Sequence, residues 1–281
     1  AAAQMSPHEH VVGIESGIVV PLIVGARVVG TLGCWSRREN HFDTDDERIL
    51  EMMATQVATA DFESAVAAMQ QQRAAGVLDP IWARCALLDD GRETLVLVST
   101  DLIGLCYDDI ADARRLVSAS HGDAVIVAAA HNHEGPDTMG LWGKSLLYTI
   151  PLHSGVDTAY QRYVKEGIAR CVFDAAQSAR PAMFRVGAAD VPDGISENYR
   201  KDGYKENTMT LLEAVDAAGG SIFTIANWPM HVEALDEDNH LLSADWAGVM
   251  YREFEKNHDG VMVYFQGALG GMIAPRISKY A

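Results

Sequence analysis

An apolar run from Ala124 to Ala130 ends on His131, Asn132 and His133, and a turn through Gly135, Pro136 and Asp137 follows. The run's length and β-branched content predict a buried strand. Side chains alternate along a strand, so His131 and His133 should face the same side where the chain leaves a sheet. In open α/β sheets that carboxyl end is where ligands bind. Two neutral imidazoles held there would make half of a zinc site, because a zinc ion needs more protein ligands than two. A pair of solvated loop histidines is the competing reading.

Two further strand ends carry unusual residues. The predicted strand Ser221–Trp228 runs into Pro229, Met230 and His231, with Ser243 and Asp245 further on at the start of a helix. The predicted strand ending at Gln266 runs into a glycine-rich loop, Gly267 to Pro275, of the kind that lets backbone approach a ligand closely. His231 alone reads as a turn or core histidine; three converging strand ends read as a site. Asp101 and Asp137 are acids that could complete a metal site begun by the histidines.

The elements that must position these residues follow from patterning. Residues 16–36 predict a hairpin with a turn at Gly25-Ala26-Arg27, and Thr44-Asp45-Asp46-Glu47 reads as a capping box. A helix with apolar residues at Ile49, Leu50, Met53, Ala54, Val57 and Ala60 should run to about Gln72. The Gln70–Gly76 stretch reads as a linker. Beyond it, strands are expected over 82–88, 94–99, 124–130, 182–188, 209–215, 221–228 and 260–266, with helices over 108–118, 155–176 and 245–256. That alternation predicts an α/β fold with a mixed sheet and flanking helices, preceded by a small α+β hairpin-plus-helix segment.

Composition sets outer bounds. Lys and Arg number 22 against 39 Asp and Glu, a net charge of −17 that disfavours nucleic acid and anionic membrane surfaces. No apolar run reaches the length of a transmembrane helix, and no signal peptide is visible, so a complete chain would be cytoplasmic. Cys34, Cys85, Cys106 and Cys171 form no C-x-x-C and read as reduced, mostly buried thiols.

Two resemblances follow. The stretch PLIVGARVVGTLGCWSRRENHFDTDDERILEMMATQVATA resembles the C-terminal half of a GAF domain, which places a partial GAF-like segment at 1–72. GAF domains bind small ligands or mediate dimers, and the resemblance implies a homodimer formed through the helix. The stretches GVLDPIWARCALLDDGRETLVLVSTDLIGL, DAVIVAAAHNHEGPDTMGLWG, FTIANWPMHVEALDEDNHLLSADWAGVMYREFE and VMVYFQGALGGMIAP resemble, in kind and order, the neutral/alkaline non-lysosomal ceramidase family. This places a partial ceramidase-like zinc hydrolase domain at 73–281.

The ceramidase resemblance implies hydrolysis of the amide of ceramide, or a related lipid amide, by zinc-activated water. It implies His131 and His231 as zinc ligands, His133 beside them shaping the site or stabilising the oxyanion, and Arg200 of the NYR loop as the site arginine. In the family the zinc is completed by a Glu and a Tyr well downstream, and a serine stands where this chain has Ala274. Asn132 and Glu134 also depart from the family's HTHSGP. The alternatives are a catalytically silent fusion with a regulatory or dimerising GAF-like piece, or a related amide or ester hydrolase with another substrate.

Overall fold

The computed structural model describes residues 16–24, 27–36, 42–44, 46–48, 50–51, 74–117, 124–142, 145–146, 150–151, 154–200, 203–236, 238–270 and 272–276. The chain separates into two compact units, Ala1–Gln70 and Gln71–Ala281.

The first unit holds the expected hairpin. β1 (Ser16–Val24) and β2 (Arg27–Ser36) pair antiparallel, with Ser16 opposite Ser36 and Val24 opposite Arg27. The capping box forms one residue earlier than the sequence suggested. Asp43 and Asp46 exchange backbone-to-carboxylate hydrogen bonds of 3.0 Å in both directions, and the Glu47 amide donates to the Asp43 carbonyl. Asp43 therefore caps and Asp46 closes the box; an aspartate accepts from the free amides of the first turn as Thr44 would have. Residues 48, 50 and 51 are helical, and the expected helix from residue 52 on, and with it the expected dimer contact, lies outside the described residues.

The second unit is built in layers. β4 (Ala83–Asp89), β5 (Thr94–Thr100) and β6 (Ala124–Ala129) form a mixed sheet in that order, β4 antiparallel and β6 parallel to β5. A second mixed sheet runs β14 (Val261–Gln266), β12 (Ser221–Trp228), β11 (Thr208–Val215) and β9 (Met183–Asp190), with only the β14–β12 pair parallel. The expected mixed sheet is thus divided into two. Helices α1 (Tyr107–Val117) and α2 (Thr158–Ser178) cover one face of the first sheet, burying Val96, Val98 and Val127 against Val117, Ile168 and Val172. Asp157 starts α2 by accepting from the Ala159 and Tyr160 amides. Between the sheets lie Ala86, Ala214, Phe223, Ile225 and Val263. Helix α3 (Asp245–Asn257) covers the second sheet through Ala247 and Tyr251, against Trp228, Met262 and Tyr264. Alternation along β12 explains this: Phe223 and Ile225 face the first sheet, Ala226 and Trp228 face α3. Short strands β3 (Gly76–Val77), β7 (Ser145–Leu146), β8 (Ile150–Pro151), β10 (Ser196–Asn198), β13 (Leu241–Leu242) and β15 (Ile273–Pro275) fasten the connections.

The two sheets join at one end. Asn132 pairs in parallel with Val232, and the His133 amide donates 2.9 Å to the Val232 carbonyl. The chains leaving β6 and β12 are zipped together where each carries its histidine.

Candidate metal centre

His131, His133 and His231 meet at this seam, with ligand atoms all within 4.8 Å of one another. The rings lie 4.9 Å apart between His131 and either partner, and 5.7 Å between His133 and His231. The expected same-side placement of His131 and His133 holds, but strand alternation does not produce it. β6 stops at Ala129, and His131 takes a left-handed backbone with φ of 63°, a conformation uncommon outside glycine. The surrounding bonds hold it there: the Ala130 and Asn132 amides donate to the Thr100 and Leu102 carbonyls, and Nδ1 of His131 lies 2.9 Å from the Ile103 carbonyl.

His231 is held from the glycine-rich loop. Its amide and its Nδ1 both reach the Ile273 carbonyl, at 2.9 and 2.7 Å. A carbonyl only accepts, so in His131 and His231 the hydrogen sits on Nδ1 and the Nε2 lone pair is left for another partner. Nδ1 of His133 lies 3.4 Å from a Glu233 carboxylate oxygen, and its Nε2 is buried with no hydrogen-bond partner. Burial lowers all three imidazoles, His133 to about 3 and His231 to about 4, so they stand neutral at pH 7. Three neutral imidazoles, two with fixed tautomers and one with a buried unpaired nitrogen, fit a divalent cation that prefers nitrogen.

Acids rim the cluster. Burial pushes Glu134 and Glu233 up to about 7 each, with neighbouring Asp236 and Asp245 adding to the rise. Glu134 accepts 2.5 Å from the Asn239 amide group. Asp137 is not available as a ligand, since its carboxylate accepts from the Met139, Gly140, Leu141 and Trp142 amides and closes the loop behind the histidines. Asp101 is likewise engaged, accepting from the Trp82 amide and the Tyr251 hydroxyl. Arg200 is exposed, two residues beyond β10, whose partner strand carries Ile273. Among the described residues its guanidinium makes no hydrogen bond or ion pair with the histidines. Ala274 is buried in β15, opposite Glu197.

Several positioning residues carried no clear sign in the sequence. Gln266 spans the seam: its amide donates to the Ala130 and Met230 carbonyls at 3.2 and 2.8 Å, and its oxygen accepts from the Met230 amide and the Tyr264 hydroxyl. Asn132 is wholly buried, donating to the Asp101 and Ser243 carbonyls and accepting from the Glu134 amide. Asp79 accepts from the Ser243 hydroxyl and the Ala244 amide, and Asp245 from the Ala234 and Leu235 amides. Ser243 and Asp245 thus fix the loop after His231 and do not enter the cluster. Gly267 passes so close to the end of β12 that a Cβ would sit 2.8 Å from the Pro229 nitrogen.

A layered α/β fold with a histidine cluster at the carboxyl ends of its strands is the class this unit defines. The chain belongs to the neutral/alkaline non-lysosomal ceramidase family, whose N-terminal model matches residues 58–274. A GAF domain model matches residues 2–60. The chain is 26% identical over 233 residues to the neutral ceramidase of Pseudomonas aeruginosa, covering 74% of this chain and 34% of that protein. Among solved structures it is similar to a ceramidase complexed with C2, with a TM-score of 0.60 and 22% identity over 74% of this chain and 35% of that one. It is also similar to the crystal structure of neutral ceramidase from Pseudomonas aeruginosa, with a TM-score of 0.58 and 21% identity over 74% and 36%. The chain spans about a third of the length of these relatives.

Proposed function

We propose that this chain carries the histidine half of a zinc-dependent amidase centre that cleaves ceramide or a related lipid amide. The single observation behind this is the convergence of His131, His133 and His231 at the seam of a ceramidase-family fold, with Nδ1 of two of them fixed on backbone carbonyls. His131 and His231 would hold the zinc through Nε2. When bound, zinc supplies a Lewis acid that polarises an amide carbonyl and lowers the pKa of water toward ~7.

The chain's own residues do the remainder. The Ile103 and Ile273 carbonyls keep both ligand tautomers fixed, so no reorientation is required on loading. His133 faces the same space with a buried, unpaired Nε2; in the tautomer with its hydrogen on Nε2 and Nδ1 accepting from a protonated Glu233, it would stabilise the carbonyl oxygen as negative charge develops there. Arg200 would contact the substrate's polar head from the loop beside Met272, where the Tyr199 amide is bonded. The GAF-like segment would serve a homodimer or a small-ligand response.

Metal content of the purified chain by mass spectrometry tests this, beside the His131→Ala/His231→Ala double variant. About one zinc in the wild type and none in the variant is expected. Equal content in both would sink the assignment. A zinc-loaded chain is then assayed on a short-chain ceramide and on simple amides and esters; faster turnover of the ceramide is expected.

A further inference from the structure

At the far end of the second unit's strands a cleft of about 960 Å³ opens, walled by β4, the last turns of α2, Phe184 of β9 and the first residues of β12. Two thiols lie on that wall. Cys85 of β4 and Cys171 of α2 bring their Sγ atoms to 2.8 Å, across 86 residues of sequence. Unbonded sulfurs do not rest so close, whereas a disulfide needs about 2.0 Å. Each sulfur is also held by backbone of the other element: Cys85 Sγ lies 3.0 Å from the Cys171 carbonyl on α2, and Cys171 Sγ 3.3 Å from the Ala83 carbonyl on β4. Both side chains are therefore turned toward each other across the β4–α2 contact. Neither is fully buried, so a small oxidant reaches them from the cleft.

We propose that Cys85 and Cys171 form a disulfide that ties β4 to α2. The chemistry is thiol–disulfide exchange with a low-molecular-weight disulfide. Cys171 attacks one sulfur of the oxidant, a mixed disulfide forms and one small thiolate leaves. Cys85 then attacks Cys171 Sγ, the protein disulfide forms and the second small thiolate leaves. The two protein thiols lose two protons and two electrons, and the oxidant is reduced to two thiols. The pair is asymmetric in the sense this order requires. The hydrogen bond from Cys85 holds the Cys171 thiol below its ordinary pKa, while donating that bond and burial push Cys85 well up. The inference is independent of the metal centre and stands whether or not zinc binds.

The test uses the whole chain, treated with oxidised glutathione or with dithiothreitol and then alkylated. Before alkylation, oxidation should lower the intact mass by about 2 Da, the two hydrogens lost. A non-reducing peptide map should join the peptides carrying Cys85 and Cys171, with Cys106 still alkylated. The oxidised chain should melt roughly 5–15 °C above the reduced one, since the bridge closes a long loop in the unfolded chain. Cys85→Ser should remove both the joined peptide and the melting shift, and Cys106→Ser should remove neither. Alkylated Cys85 and Cys171 after oxidation, or a stable glutathione adduct on either, would overturn the proposal.

Discussion

The two ends of β12 differ in what the fold does with them. At its carboxyl end, Trp228 to Val232, the chain is held from every side: Gln266, Ile273, Tyr264 and Trp246 all bond its backbone. At its amino end Ile222 and Phe223 form part of an open cleft, and β9, the edge strand on the far side of β11, exposes both of its faces. Chemistry requires groups kept in place without reorganisation, so hydrogen bonds concentrate where the histidines converge. The other end has only to bury apolar area, and hydrophobic contact tolerates looser geometry.

Predictions that break this comparison come in descending size. Losing the metal is the largest effect. His131→Ala or His231→Ala alone should abolish zinc retention, while His258→Ala, an exposed histidine stacked on Phe254, should leave it intact by the same mass measurement.

Next comes the seam. Gln266→Ala leaves the buried Ala130 carbonyl and the Met230 amide and carbonyl without their partner, a loss of about 2–4 kcal/mol in urea denaturation. A loss below that of an ordinary surface substitution would mean water replaces the amide there. Asn132→Leu removes the donor to Asp101 and Ser243 and should cost about 2–3 kcal/mol by the same curve.

A pH series sharpens the comparison further. The three imidazoles are depressed in the folded protein, so the native state binds fewer protons than the unfolded chain. Their contribution to metal-free stability is present above the ordinary histidine value of 6.5 and is lost as pH falls toward about 4 for His231 and about 3 for His133. Asp101 has the opposite sign: burial raises it from 3.8 to about 6, so its contribution is present below 3.8 and lost as pH rises through 6. Glu134 and Glu233, raised to about 7, also oppose the imidazoles in this window, so the readout is the difference: between about pH 7.5 and pH 5 the metal-free chain should lose stability relative to His131→Asn/His231→Asn. The smallest effect belongs to the outer strand. Val186, 84% exposed on β9, should change stability by no more than about 0.5 kcal/mol on replacement by Thr.

Element types and places were legible because they rest on local periodicity. The long strands and helices over 83–266 fall within a few residues of where apolar spacing put them, and the Asp89–Gly91 and Asp216–Gly220 turns join antiparallel pairs; the two- and three-residue strands, β10 among them, were not read. The cap at Asp43 was missed by one residue because Asp and Thr offer the same acceptor to the same amides.

The sequence by itself determined that His131, His133 and His231 follow closely on strands and that the family is the ceramidase one, since residue type and order carry that information. Only the tertiary structure decided that His131 adopts a left-handed backbone, that Gln266 and Asn132 bind the seam, that Asp101 and Asp137 are committed to backbone amides, and that Cys85 meets Cys171. The physical reason is range. Periodicity and capping are set by neighbours along the chain, whereas a carbonyl left free by one loop is satisfied by whichever side chain the packing of distant strands brings to it.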